Sequence, residues 1–292
     1  MGRNMVLHLL EKGIEVVVWN RSSQPMATAK SLDDLIFQLK PPRVIWLMVT
    51  AGEAVDAILK QLVEKLAAGD LIIDGGNSFY QDTLRRETEL AKHKIHFMDV
   101  GTSGGIEGAR HGACLMVGGS KEDYDRILPV LKALAAPEAY GLLGTVGAGH
   151  FAKTIHNGIE YGMMEAIGEG AAILKHSPFK FDLREVFRIY NTRSIIESRL
   201  VEWTLNELKV DPELSSISSV IGSAGGSGKT KGEAHWTVEL AKEMGVDTPV
   251  IEASIKVRET SDKDKENSPN GFRNKVVAAM RWQFGQHPVR KQ

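Results

Sequence analysis

The sequence predicts a doubly wound α/β domain that lacks its first strand, followed by an all-α domain. Two observations lead there. Over residues 1–147, short apolar runs at Glu15–Trp19, Val44–Val49, Leu71–Asp74 and Ile95–Val100 alternate with helix-like stretches, which is the pattern of parallel β-α-β units. After Gly147 the alternation stops and the chain reads helical, setting domains of 1–147 and 148–292. A length of 292 residues favours two cores over one.

The elements follow in order. Asn4–Lys12 reads as a helix with Met5, Val6, Leu9 and Leu10 on one face, stopped at Gly13. The valine-rich Glu15–Trp19 comes directly after it as a strand. Ala148–Lys175 is one long helix in which Gly158, Gly162 and Ala166, spaced by four, form a close-packing edge. Asp182–Leu208 and Val238–Glu259 are mostly helical, and the charged, Pro-containing Asp262–Asn270 is an exposed loop.

Composition narrows the function. With 36 Lys and Arg against 37 Asp and Glu, the electrostatic footprint of a nucleic-acid binder is missing. No run reaches about 18 apolar residues and the N-terminus does not resemble a signal peptide, so no membrane role is expected and the cytoplasm is the expected location. The single cysteine, Cys114, lies in the apolar run Ala113–Val117 and reads as a buried structural thiol. The ten methionines form no cluster, and no metal site is expected.

Three segments carry chemistry. Asn20-Arg21-Ser22 ends the Glu15–Trp19 run where an NAD-preferring site places a carboxylate; a guanidinium there suits a 2′-phosphate, so NADP is expected, with NAD possible. Asp74-Gly75-Gly76-Asn77-Ser78 and Gly101-Thr102-Ser103-Gly104-Gly105 each follow a strand, at the end where ligands bind in such sheets. In the long helix, at about 100° per residue, Lys153, Asn157 and Glu160 fall within about 60° of arc, flanked by His156 and Tyr161. That stripe is either a ligand face or the solvated side of an amphipathic helix whose other side carries Ile155 and Ile159.

Together these motifs resemble those of 6-phosphogluconate dehydrogenase of the short type, within the β-hydroxyacid dehydrogenase superfamily, over essentially the whole chain. Gly232-Glu233-Ala234-His235-Trp236-Thr237 is similar to the family's Gly-x-Gly-basic-Trp-Thr, and Arg281 with Phe284-Gly285-Gln286-His287 to its C-terminal Arg and Phe-Gly-Gly-His. The resemblance implies a Rossmann-like cofactor domain lined by Gly2, Arg3, Asn20, Arg21, Ser22, Val49 and Asn77. It implies Lys153 as the base that takes the hydroxyl proton and Glu160 as the acid that protonates the enediol left by decarboxylation. Asn77, Ser103, Gly104, Gly105, His156 and Asn157 would hold the carboxylate and hydroxyls of 6-phosphogluconate. Tyr161, Lys231, Arg258, Arg281 and His287 would collect its phosphate, the last two near a C-terminus that in the family reaches into a neighbouring subunit. A homodimer or homotetramer of the pentose phosphate pathway is therefore expected.

Three departures stand out. Ala234 and Gln286 replace usual glycines, and the fingerprint's first strand and opening glycines are absent before Gly2. The last implies either a start upstream of Met1 or a truncated, loosened cofactor domain. A non-decarboxylating relative of the 3-hydroxyisobutyrate or tartronate-semialdehyde type, and an inactive sugar-phosphate-binding relative, are the alternatives.

Overall fold

A computed structural model describes the chain except residues 23, 223–231, 287–288 and 290–292. It divides into two compact units, Met1–Thr154 and Ile155–Gln292.

The first unit is built on a five-stranded sheet in the order β1 (Val44–Leu47), β2 (Leu71–Asp74), β3 (His96–Ser103), β4 (Ala113–Gly118) and β5 (Ala135–Gly144). β1, β2 and β3 are mutually parallel, with Leu47 opposite Asp74 and Asp74 opposite Asp99. β4 runs antiparallel to β3, which corrects the all-parallel expectation, because only the short helix α5 (Gly105–His111) separates the two strands. That link is too short for a parallel crossover. β5 was not foreseen: Pro137 and the left-handed Glu138 (φ 62°) interrupt its apolar pattern.

Helices cover both faces. Met5 and Leu9 of α1 (Gly2–Glu11) pack with Ile73, Val100 and Val117, and with Ile127 and Leu131 of α6 (Lys121–Leu134). On the other face α2 (Leu32–Gln38), capped by Ser31, and α3 (Glu53–Val63) pack Leu35, Ile36, Val55 and Leu62 against Ile45 and Ile72. α4 (Tyr80–Ala91) precedes β3.

The segment predicted as a strand at Glu15–Trp19 is not one. Its side chains do alternate, Ile14 and Val16 joining the core of α1, Val17 and Trp19 that of α2. A strand also needs a ladder, and this run pairs with no strand among the described residues; the Val18 carbonyl accepts from the Thr28 and Ala29 amides, and its own amide donates to the Thr28 hydroxyl. Cys114 is exposed, contrary to expectation, because strand alternation turns it away from the side that buries Ala113 and Leu115.

The second unit is helical. The long helix α7 (Ala148–His176) runs into it and is followed by α8 (Leu183–Tyr190), α9 (Arg199–Val210), α10 (Glu233–Glu243), α11 (Pro249–Glu259) and α12 (Pro269–Gly285). Met164 and Ala171 of α7 pack with Phe187, Val201, Leu208, Val276 and Met280. Gly158 and Gly162 do form a close-packing edge, a Cβ on Gly158 lying 2.6 Å from Thr237 Cγ2 and one on Gly162 3.3 Å from Val250. Ala166 is exposed and takes no part. No helix among the described residues is long and apolar enough to cross a membrane.

Candidate active site

The loop after β2 is held by its own carboxylate. Asp74 is fully buried; its Oδ1 accepts from the Gly76 amide (3.0 Å), and its Oδ2 from Ser78 Oγ (2.7 Å) and Arg86 Nη1 (3.3 Å). Asn77 sits at a left-handed φ of 54°, which asparagine tolerates, and its Oδ1 accepts from the Thr102 amide (3.3 Å). The two glycine-bearing loops of the sequence are thereby joined. A Cβ on Gly76 would lie 2.5 Å from the Val49 carbonyl, and one on Gly2 3.0 Å from Met48 Cβ, so the chain just after β1 packs closely on the loop after β2 and on the start of α1. Asn20 Nδ2 donates to Ser22 O (2.8 Å) and Oγ (2.9 Å), folding the tip that exposes Arg21. Arg3 is exposed as well. Helix-start amides, a glycine cradle at the strand ends and exposed guanidiniums fit a dinucleotide's phosphates.

Lys153 is positioned from β3. Asp99, fully buried within that strand, accepts from the amides of Gly147 (2.6 Å) and His150 (2.6 Å), capping the start of α7. Burial pushes its carboxyl upward in pKa, opposed by the nearby His150 and these two amides. A Cβ on Gly101 would lie 2.5 Å from Lys153 Cβ, so the bare backbone of β3 is what admits the lysine, itself 7% exposed. His150 is in turn held by Thr83 through Nδ1 (2.8 Å). Ser103 ends β3, and Gly104 and Gly105, with φ of 111° and 64°, open α5. Sequence reasoning misses Asp99, Thr83, His150 and Arg86. The available signal was a carboxylate inside an apolar strand, which has to find partners.

In the second unit the polar stripe faces inward. Asn157 and Tyr161 are buried and Glu160 half-buried, whereas Ile159 and Met163 are exposed, so the solvated-face reading is overturned. Asn157 Nδ2 donates to Glu233, while His156 Nδ1 lies 3.2 Å from Asn157 Oδ1 and 3.7 Å from Glu160 Oε2. The Arg258 guanidinium stacks 3.4 Å from the centre of the Tyr161 ring, and its Nε donates to Glu165 (3.0 Å). Arg281 is near both; burial, and then the charge of Arg258, holds its pKa down to about 10. Burial pushes Tyr161 and Glu165 upward, against the pull of Arg258. Among the described residues, the Tyr161 hydroxyl and Glu165 Oε2 are buried without a hydrogen-bond partner.

Of the other residues expected at the phosphate end, Arg281 is 5% exposed and donates to the carbonyls of Ile221 and Gly222. Lys231 and His287 lie outside the described residues.

An α/β unit with glycine-lined strand ends, continuous through one helix with an all-α unit, defines a class of nicotinamide-dependent oxidoreductases. Residues 1–147 match the NAD-binding domain of 6-phosphogluconate dehydrogenase and residues 149–289 its C-terminal domain, so the chain belongs to that family. It is 40% identical over 299 aligned positions to YqeC of Bacillus subtilis, a provisionally named 6-phosphogluconate dehydrogenase, covering 100% of this chain and 96% of that one. It is 38% identical to the NAD-dependent decarboxylating enzyme of Haloferax volcanii (99% and 95% covered) and 38% to the NADP-dependent decarboxylating enzyme of Bacillus subtilis (88% and 58%). Among solved structures, Plasmodium falciparum 6-phosphogluconate dehydrogenase, studied with NADP and with 6-phosphogluconate, superposes with a TM-score of 0.78 at 32% identity, covering 95% of this chain and 67% of that one. Mycobacterium tuberculosis 3-hydroxyisobutyrate dehydrogenase shares the fold, at a TM-score of 0.69 and 17% identity, with 94% of each chain covered.

Proposed function

We propose that this protein oxidises and decarboxylates 6-phosphogluconate to ribulose 5-phosphate, with NADP as the preferred acceptor. The inward-facing polar stripe of α7 carries the reading: a base, an acid and hydrogen-bonding groups occupy the side of the helix that an ordinary amphipathic helix would fill with apolar residues.

Lys153, as a neutral amine, accepts the proton of the 3-hydroxyl as C3 is oxidised. Gly2, Arg3, Asn20, Arg21, Ser22, Val49 and Asn77 would hold the nicotinamide dinucleotide, which would supply the hydride acceptor. The resulting β-keto acid is unstable to loss of its carboxylate. Lys153 then returns its proton to the C3 oxygen as carbon dioxide leaves, and as Glu160 protonates the enediol carbon Lys153 takes that hydroxyl proton back, leaving the ketone. Asn77, Ser103, Gly104, Gly105, His156 and Asn157 orient the carboxylate and hydroxyls, and Tyr161, Arg258 and Arg281 take the phosphate, with Lys231 and His287 assigned to that end by the family motifs.

The shared fold leaves a non-decarboxylating hydroxyacid dehydrogenase as a second reading. Two buried guanidiniums beside Tyr161 favour a phosphorylated substrate instead. NADP is preferred because the Asn20–Ser22 tip offers Arg21 and no carboxylate. The test is recovery of carbon dioxide and reduced cofactor in equal amounts from 6-phosphogluconate. Lys153→Met should lower turnover by on the order of 10²-fold or more while substrate binding persists. Cofactor reduction without carbon dioxide, or a Lys153→Met variant within tenfold of the parent, would refute the proposal.

A further inference from the structure

Glu233 has no part in the roles assigned above, yet it touches the polar stripe. It is the first residue of α10, where the helix dipole favours a carboxylate in its charged form. An ionised carboxylate can only accept hydrogen bonds. Asn157, which bonds to it, must therefore present its amide nitrogen to Glu233 and its carbonyl oxygen to the other side. On that side His156 Nδ1 lies 3.2 Å from Asn157 Oδ1. A carbonyl oxygen has no proton to give, so the proton of this contact belongs to the ring: Nδ1 carries it. Glu160 Oε2, 3.7 Å from the same Nδ1, is a second oxygen facing that proton.

We infer that Glu233 is a positioning residue that, through the Asn157 amide, fixes His156 as the Nδ1–H tautomer, so that a neutral His156 offers Nε2 as an acceptor for a hydroxyl of the sugar acid. The orientation runs along a line of contacts, Glu233 to Asn157 to His156, with Glu160 at its far end. The catalytic consequence rests on the function proposed above; the tautomer does not. Glu233 also lies close enough to Tyr161 to raise its pKa, a minor effect beside burial, which places the same carboxylate at the edge of the phosphate-end cluster.

Two measurements on the whole protein separate these levels. Nitrogen-15 NMR of the ligand-free protein, well above the ordinary histidine pKa of about 6.5 and assigned by comparison with His156→Asn, should show His156 protonated at Nδ1. In Glu233→Ala it should shift toward Nε2–H, the tautomer favoured by free imidazole side chains, and in Glu233→Gln, whose carbonyl still accepts from Asn157, it should stay mainly Nδ1–H. In turnover, Glu233→Ala should lose about tenfold or more in kcat/KM for 6-phosphogluconate, and Glu233→Gln should recover most of the loss. An Nε2–H parent, or a tautomer that ignores Glu233→Ala, overturns the inference whatever the activity. The expected tautomers in a protein without decarboxylase activity would uphold the positioning role and overturn the function instead.

Discussion

Each unit buries arginine among carboxylates, and the two do so with opposite balance. In the first unit one guanidinium, Arg86, meets two carboxylates: Nε donates to Asp56 (2.8 Å), Nη1 to Ser78 (3.0 Å) and Asp74 (3.3 Å), and Nη2 to the Gly52 carbonyl (3.0 Å). Each of its nitrogens has a partner. In the second unit two guanidiniums, Arg258 and Arg281, adjoin the carboxylate of Glu165, and among the described residues the Tyr161 hydroxyl and Glu165 Oε2 find no hydrogen-bond partner. Buried polar groups left unsatisfied are costly, and a fold retains them where a ligand completes them. The first cluster holds a loop in place; in the second, the phosphate role proposed above would set an anion against Arg258, Arg281 and the Tyr161 hydroxyl.

The largest effect should come from breaking the satisfied cluster. Arg86→Ala leaves Asp74 buried beside Ser78 without its cation, at a cost of about 3–5 kcal/mol. Calorimetry should show the cofactor unit melting on the order of 10 °C lower; a change of about a degree would mean that the network does not hold the loop.

A smaller and differently distributed effect is expected from the unsatisfied cluster. Arg281→Ala removes a cation that burial already disfavours, so the stability loss should be well below that of Arg86→Ala. The variant should bind 6-phosphogluconate about 2 kcal/mol more weakly, roughly 30-fold, and gluconate nearly unchanged. Isothermal titration with both ligands decides, and equal weakening would remove the phosphate role.

The exposed Arg21 sharpens the contrast, because water already solvates it. Arg21→Ala should weaken NADP by about tenfold, near 1.4 kcal/mol, and NAD by much less. Matched losses in fluorescence titrations of the two cofactors would count against a 2′-phosphate contact.

Much of this was legible from residue patterns. The run Leu71–Asp74 is β2 as read, the predicted helix Ala148–Lys175 is α7 to within a residue, and the stripe of Lys153, His156, Asn157, Glu160 and Tyr161 follows from helical periodicity alone. These features depend on neighbours a few residues apart, and local pattern specifies them. What the pattern could not supply involves partners distant in the chain. Glu15–Trp19 has a strand's composition and alternation, but a strand exists only with a neighbour to complete its hydrogen bonds. Whether the α7 stripe met water or protein depended on α10, α11 and α12, which pack Ala234, Ile255 and Arg281 around it. The roles of Asp99 and Glu233 were equally hidden, since a carboxylate's meaning lies in the amides it meets: Asp99 reaches Gly147 and His150 some fifty residues on, and Glu233 reaches back to Asn157. Sequence periodicity thus determined which groups share a face, and only tertiary packing decided which of those faces was dry, because burial depends on what the rest of the chain places against it.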